Sequence, residues 1–219
     1  SGTSAQPKAV ELTHNNLTSY VMGTVDFGAA EPDDAALVCV PPYHIAGVGA
    51  ALSNLYAGRK TVYLRHFDPR EWVRLVAEEG ITTATVVPTM LDRIISELER
   101  EPIALPTLKN LAYGGSKVPL PLVRKTIDML PGVGLVNAYG LTETSPIVTG
   151  NCPAGQIIGS VGRPIPGVEV KIEPVEEAPE GQGEVIVYGP NIMQGYHNLP
   201  EESEKTFTED GWLRNGDKG

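Results

Sequence analysis

Between residues 9 and 140, short apolar runs rich in β-branched residues alternate with longer amphipathic stretches, and this alternation limits the fold more than any other feature. Strands are expected over 35–40, 60–64, 82–87, 109–113 and 134–138. Helices are expected over 15–27, 45–57, 69–79, 89–100 and 119–130. The strands read as continuous apolar runs, the pattern of strands buried on both faces. Such alternation predicts an α/β fold with a mainly parallel sheet covered by helices. The helix over 69–79 has the clearest ends: Asp68 as N-cap, Pro69 in the first turn, Glu71 at capping-box spacing and Gly80 beyond the last turn. Ligands of such sheets sit beyond the carboxyl ends of the strands.

Residues 150–219 change character. Val168–Ile172 and Glu184–Val187 alternate apolar and polar residues, as half-exposed strands do. Pro and Gly punctuate them, the acidic stretch 174–183 reads as a surface turn, and 200–207 suits one short helix. This part is expected to be a small, antiparallel, β-barrel-like subdomain. The chain therefore divides into an α/β core over 1–149 and a β-rich subdomain over 150–219.

At 219 residues the chain is long enough to bury a substantial core. A net charge of −10, with Lys and Arg dispersed, argues against nucleic acid as a partner. No apolar run has the length of a transmembrane segment. Cys39 and Cys152 are far apart and form no metal or redox motif, which suits a reducing, cytoplasmic location.

The chemistry is carried by motifs. The chain opens Ser1-Gly2-Thr3-Ser4-Ala5-Gln6-Pro7-Lys8, where hydroxyls, a glycine and a cation can meet a polyphosphate. It is not the Walker loop, and alone it would read as a solvated turn. Pro42-Tyr43-His44 and Tyr113-Gly114-Gly115-Ser116 follow. Then come Asn137-Ala138-Tyr139-Gly140-Leu141-Thr142-Glu143 and Gly211-Trp212-Leu213-Arg214-Asn215-Gly216-Asp217. In this order the five stretches resemble the adenylate-forming superfamily of acyl- and aryl-CoA synthetases, luciferases and peptide-synthetase adenylation domains.

The resemblance implies roles. The opening loop, with Ser1, Gly2, Thr3, Ser4 and Lys8, would hold the β- and γ-phosphates of ATP. Thr142 would touch the α-phosphate and Glu143 would bind Mg²⁺, a metal content with one or two carboxylates plus phosphate oxygens. Tyr139 would stack on adenine. Gly115 and Ser116 would line the adenine and acyl pockets, with Asn137 and Gly140 beside the nucleotide. Asp217 would accept hydrogen bonds from the ribose hydroxyls, as an acceptor-only group can. Thr142, Glu143, Lys8 and His44 would form the catalytic set, His44 facing the acyl tunnel. Each has a plain alternative: Lys8 as a surface lysine, Glu143 as a solvated turn residue, Tyr139 as core packing, Gly114-Gly115 as a turn, His44 as a helix cap. The small-sided run Ala46–Ala51 suits either tight helix packing or room for substrate. Ala5 stands where the family usually has Gly, and Asn215 where it has Thr or Ser.

The resemblance further implies an ATP-dependent ligase that activates a fatty or aryl carboxylate to an acyl-adenylate and passes it to coenzyme A. Pro42-Tyr43-His44-Ile45 favours acyl or aryl ligases over amino-acid activators. Two alternatives stay open: a fatty acyl-AMP ligase loading an acyl carrier protein, and a nucleotide-binding module without catalysis. The absence of an initiator Met and a phosphate loop at residue 1 suggest an internal piece of a longer enzyme. The resemblance puts a catalytic lysine beyond Gly219, so residues 1–219 alone are expected to catalyse poorly.

Overall fold

The computed structural model describes residues 7–175 and 178–219. In chain order the elements are β1 (Val10–Glu11), α1 (His14–Thr24), β2 (Ala35–Val38), α2 (Ile45–Ala57), β3 (Lys60–Tyr63), α3 (Pro69–Glu78), β4 (Thr83–Val86), α4 (Pro88–Arg100), β5 (Asn110–Gly114), α5 (Leu120–Met129) and β6 (Gly134–Tyr139). A 3-10 turn (Thr142–Thr144) follows, then β7 (Thr149–Asn151), β8 (Arg163–Pro164), β9 (Glu169–Pro174), β10 (Gly183–Tyr188), β11 (Gly195–Tyr196), α6 (Pro200–Thr206) and β12 (Leu213–Lys218).

The main sheet has the order β3-β2-β4-β5-β6-β7-β8. Its pairs from β3 to β6 are all parallel, and β7 joins antiparallel to β6. All four residues of β2 are buried, as the continuous apolar run demands. The core between this sheet and its helices centres on Trp72, Val73, Val76, Ile81, Leu91, Ile94, Ile95 and Leu111. Val76 lies four residues after Trp72 and three after Val73, so the three form one stripe of α3. Leu91, Ile94, Ile95 and Leu98 do the same on α4.

Helix ends follow local chemistry. Asp68 Oδ1 accepts from the N–H groups of Arg70 and Glu71, and Pro69 fills the first position of α3. The Glu71 carboxylate turns to Arg74 and forms an ion pair with it. Gly80 takes φ +64° just beyond the helix, a backbone state that suits glycine.

The later part holds small antiparallel sheets: β9, β10 and β12 in the order β12-β10-β9, and β1 paired with β11. Chain contacts gather into two compact units, one of 1–24, 140–148 and 164–219, the other of 25–139 and 149–163. The units interleave in sequence, whereas the sequence reading divides the chain once, at 149/150. The pairing of β1 with β11 is the physical reason the opening residues group with the late half. Among the described residues no helix is long and apolar enough to cross a membrane.

Candidate functional site

Within the unit of 25–139 and 149–163, five expected site residues lie at or near the carboxyl edge of the parallel sheet. Tyr139 ends β6, and Gly115 and Ser116 follow the end of β5 beside it. His44 lies on the connection leaving β2. Gly114 permits a close approach of β5 to β6: a Cβ there would sit 2.3 Å from the Ala138 carbonyl oxygen. Gly115 takes φ +85°, so the turn needs a residue without a Cβ penalty. Ser116 is exposed. Asn137, inside β6, donates from Nδ2 to the Ser160 carbonyl at 3.0 Å.

His44 is the N-cap of α2. Its Nδ1 accepts from the Ala46 N–H at 3.2 Å, and its ring is exposed. Gly47, in the small-sided run, meets backbone: a Cβ there would lie 2.2 Å from the Pro41 carbonyl oxygen. Close packing of α2 on the 41–42 turn therefore accounts for that glycine.

The opposite, amino edge of the sheet carries an open depression lined by Asp34, Lys60, Glu79, Thr82 and Lys109 among others. Four of its charges form two pairs, Lys60 with Glu79 at 2.8 Å and Lys109 with Asp34 at 3.2 Å. Partial burial alone would raise the Asp34 carboxyl. Hydrogen bonds from Lys109 and the Glu31 N–H, with the Lys109 charge, outweigh burial and hold it below its ordinary 3.8.

The other unit holds the acidic centre. Gly140 leads into the 3-10 turn, and a Cβ there would come within 2.0 Å of the Pro146 carbonyl oxygen. Thr142 is half-buried at the start of the turn. Glu143 is only 6% exposed. Its backbone carbonyl accepts from Met193 N–H at 2.9 Å, and its Oε1 accepts from the Tyr196 hydroxyl at 2.9 Å. Its Oε2 is buried with no hydrogen-bond partner among the described residues. An ionised oxygen left this way is costly unless something binds it. The Asn191 amide donates to the carbonyls of Thr144 and Ile147 and so braces the turn. Asn16, buried at the start of α1, donates to the carbonyls of Pro190 and Ile192.

Lys8 is part of the same unit. Its ammonium lies 4.3 Å from the Tyr196 ring centroid and 3.7 Å from Glu202. Burial first, then the bond to Glu143 and the carboxylate charge, push the Tyr196 phenol well above its ordinary range. Asp217 is exposed on β12, and its N–H donates to Asn215 Oδ1 at 2.9 Å. Gly216 before it takes φ +78° where the β10–β12 register shifts, a bulge that re-aims the strand. Asn215, in place of the usual Thr or Ser, supports the Asp217 backbone. Ser1, Gly2, Thr3 and Ser4, with Ala5, lie outside the described residues.

The profile of the AMP-binding enzyme family matches residues 1–197. The chain belongs to the AMP-binding enzyme family. It is 34% identical over 224 residues to a 2-succinylbenzoate–CoA ligase of Bacillus pumilus, covering 100% of this chain and 45% of that protein. It is 34% identical over 234 residues to a fatty acid–[acyl-carrier-protein] ligase of Streptomyces coeruleorubidus, covering 100% of this chain and 44% of that protein. Its fold is similar to o-succinylbenzoate CoA synthetase of Bacillus subtilis in complex with ATP and magnesium ion. That likeness has a TM-score of 0.85 at 29% identity and covers 100% of this chain and 46% of the other. The chain thus spans about half the length of these AMP-binding relatives.

Two groups in this AMP-binding chain escaped the sequence reading. Tyr196 follows Gly195 in a stretch that reads as loop, and its partner Glu143 lies 53 residues away. Asn16 looks like any polar residue at a helix start, although it is almost fully buried. Its signal was Thr13 three residues before it, whose N–H and hydroxyl both bond to Asn16 Oδ1.

Proposed function

We propose that the full-length protein activates a carboxylic acid, fatty or aryl, with ATP to an acyl-adenylate and passes the acyl group to coenzyme A. The observation that carries this reading is Glu143: a buried carboxylate in the Tyr-Gly-Leu-Thr-Glu motif of an AMP-binding enzyme, with one oxygen held and the other unpartnered. A divalent cation fits that donor set. Mg²⁺ takes oxygen ligands, is content with one or two protein carboxylates and leaves its other positions to phosphate and water. Among the described residues no group of three or more His, Cys, Asp or Glu side chains forms a protein cage, which agrees with a site completed by substrate oxygens. Held by Glu143, such a cation would supply positive charge against the phosphate oxygens.

The chain's own residues do the rest. Glu143 holds the metal. Thr142 donates its hydroxyl to the α-phosphate, while Lys8 and the hydroxyls of Thr3 and Ser4, with Ser1 and Gly2, neutralise and orient the outer phosphates. Tyr139 gives adenine a flat apolar face, Gly115 and Ser116 admit it closely, and Asn137 and Gly140 shape the adjoining backbone. Asp217 accepts from both ribose hydroxyls. His44, which the family resemblance aims at the acyl tunnel, would help orient the reacting carboxylate. Location in the cytoplasm belongs to this reading and is supported by the unpaired Cys39 and Cys152.

A second acceptor is favoured by a specific finding: one relative, at 34% identity, is named as a ligase for an acyl carrier protein. The test is carboxylate-dependent exchange of pyrophosphate into ATP by the full-length protein, across fatty and aryl acids, followed by competition between coenzyme A and a pantetheinyl carrier. Exchange with at least one acid is expected, with coenzyme A the better acceptor. ATP binding without exchange would sink the enzyme reading, and preference for the carrier would reassign the acceptor.

A further inference from the structure

We propose that Tyr196 is a positioning residue of the nucleotide site, its hydroxyl fixing Glu143 through Oε1 while its ring face seats the Lys8 ammonium. The inference rests on the metal reading of Glu143 and deepens it. A carboxylate on a flexible side chain can present either oxygen; one donor at Oε1, 2.9 Å away, leaves the buried Oε2 as the oxygen without a partner, and so the one a ligand would satisfy. Tyr196 is itself well held. Its N–H donates to Ser203 Oγ at 2.8 Å, and its residue pairs with Val10 in the β1–β11 register. Lys8 stands two residues before Val10, so that pairing fixes the base of the lysine as well. The ammonium then rests over the aromatic face at 4.3 Å, where the ring quadrupole attracts a cation, with Glu202 at 3.7 Å. One side chain thus ties the segment carrying the cation to the turn carrying the carboxylate.

The two contacts can be separated. Tyr196→Phe keeps the ring and loses the hydroxyl; Tyr196→Leu loses both. ATP affinity of the full-length protein is measured by isothermal titration with and without Mg²⁺, for wild type, both variants, Glu143→Gln, and the pair Tyr196→Phe with Glu143→Gln. Tyr196→Phe should keep metal-free ATP affinity within about twofold and lose roughly tenfold of the gain that Mg²⁺ confers, as for a hydrogen bond to a charged group. Tyr196→Leu should also lose roughly two- to fivefold of metal-free affinity. The double variant should be no worse than Glu143→Gln alone. A Tyr196→Phe protein with the full metal gain, beside a Glu143→Gln protein without it, overturns the role of Tyr196 and leaves the metal reading standing. If Glu143→Gln keeps the gain, the metal reading falls and this inference with it. A probe that keeps both the ring and the hydroxyl of Tyr196 covers the case in which the Tyr196 variants misfold. The ¹⁹F resonance of 3-fluorotyrosine at position 196 should shift when Mg²⁺ joins ATP, and should not do so with Glu143→Gln. A resonance that Mg²⁺ leaves unmoved in the otherwise wild-type protein also overturns the inference.

Discussion

Gly140 shows how tightly the acidic centre is built. A single added methyl there would stand 2.0 Å from the Pro146 carbonyl oxygen and closer than 3 Å to two further backbone atoms. All three are backbone atoms of the 146–147 segment, so no soft side chain is there to yield. Gly140→Ala should therefore lower stability by about 2 kcal/mol or more, read from chemical denaturation of the full-length protein. Asn16 makes a complementary case. Its amide serves two buried carbonyls, so Asn16→Ala should cost about 2–3 kcal/mol, because both acceptors are left without a partner. At this scale the sequence told unequal amounts. Glu143 and Asp217 stand in motifs whose order carries the information. Tyr196 does not, because its importance comes from a carboxylate 53 residues away. His44 was legible as a cap, and the cap is what its Nδ1 makes.

Elements were legible where a long period or a chemical signal marks them. The helix expected over 45–57 matches α2, and the other four expected in the α/β region lie within three residues of α1, α3, α4 and α5. The cap of α3 was readable because Asp68, Pro69 and Gly80 each act locally. Asp68→Ala should lower stability by about 1 kcal/mol, with most of the loss in the first turn of α3 as seen by amide exchange. The strands β1, β7, β8, β11 and β12 were not read. They contain Gly, Asn or Pro, or are two residues long, and partners distant in sequence define them. At the amino edge of the sheet, Asp34 gives a pH prediction. Its folded-state carboxyl titrates below the unfolded value, so its contribution is present above that unfolded value and is lost as pH falls through the folded one. With Lys109 largely exposed, the contribution is at most about 1 kcal/mol. Asp34→Asn should be slightly less stable than wild type at pH about 7, and the two denaturation curves should converge by pH about 2. A gap that stays constant over that range would remove the charge from the explanation.

At the scale of the whole molecule, the α/β architecture and the small antiparallel sheets were both foreseeable, because strand–helix alternation leaves few ways to bury two-faced strands. The interleaving of the two compact units was not. It depends on β1 pairing with β11 across most of the chain, and no local pattern announces such a pairing. The chain belongs to the AMP-binding enzyme family and spans about half the length of its relatives, so its chemistry is best tried in the full-length protein. The most direct measurement is a Mg²⁺ titration of carboxylate-dependent ATP–pyrophosphate exchange, in wild type and in Glu143→Gln. We predict exchange that rises with Mg²⁺ in wild type and falls by roughly a hundredfold or more in the variant, with the metal response flattened, as loss of metal charge stabilisation implies. Equal responses of the two proteins to Mg²⁺ would contradict the account.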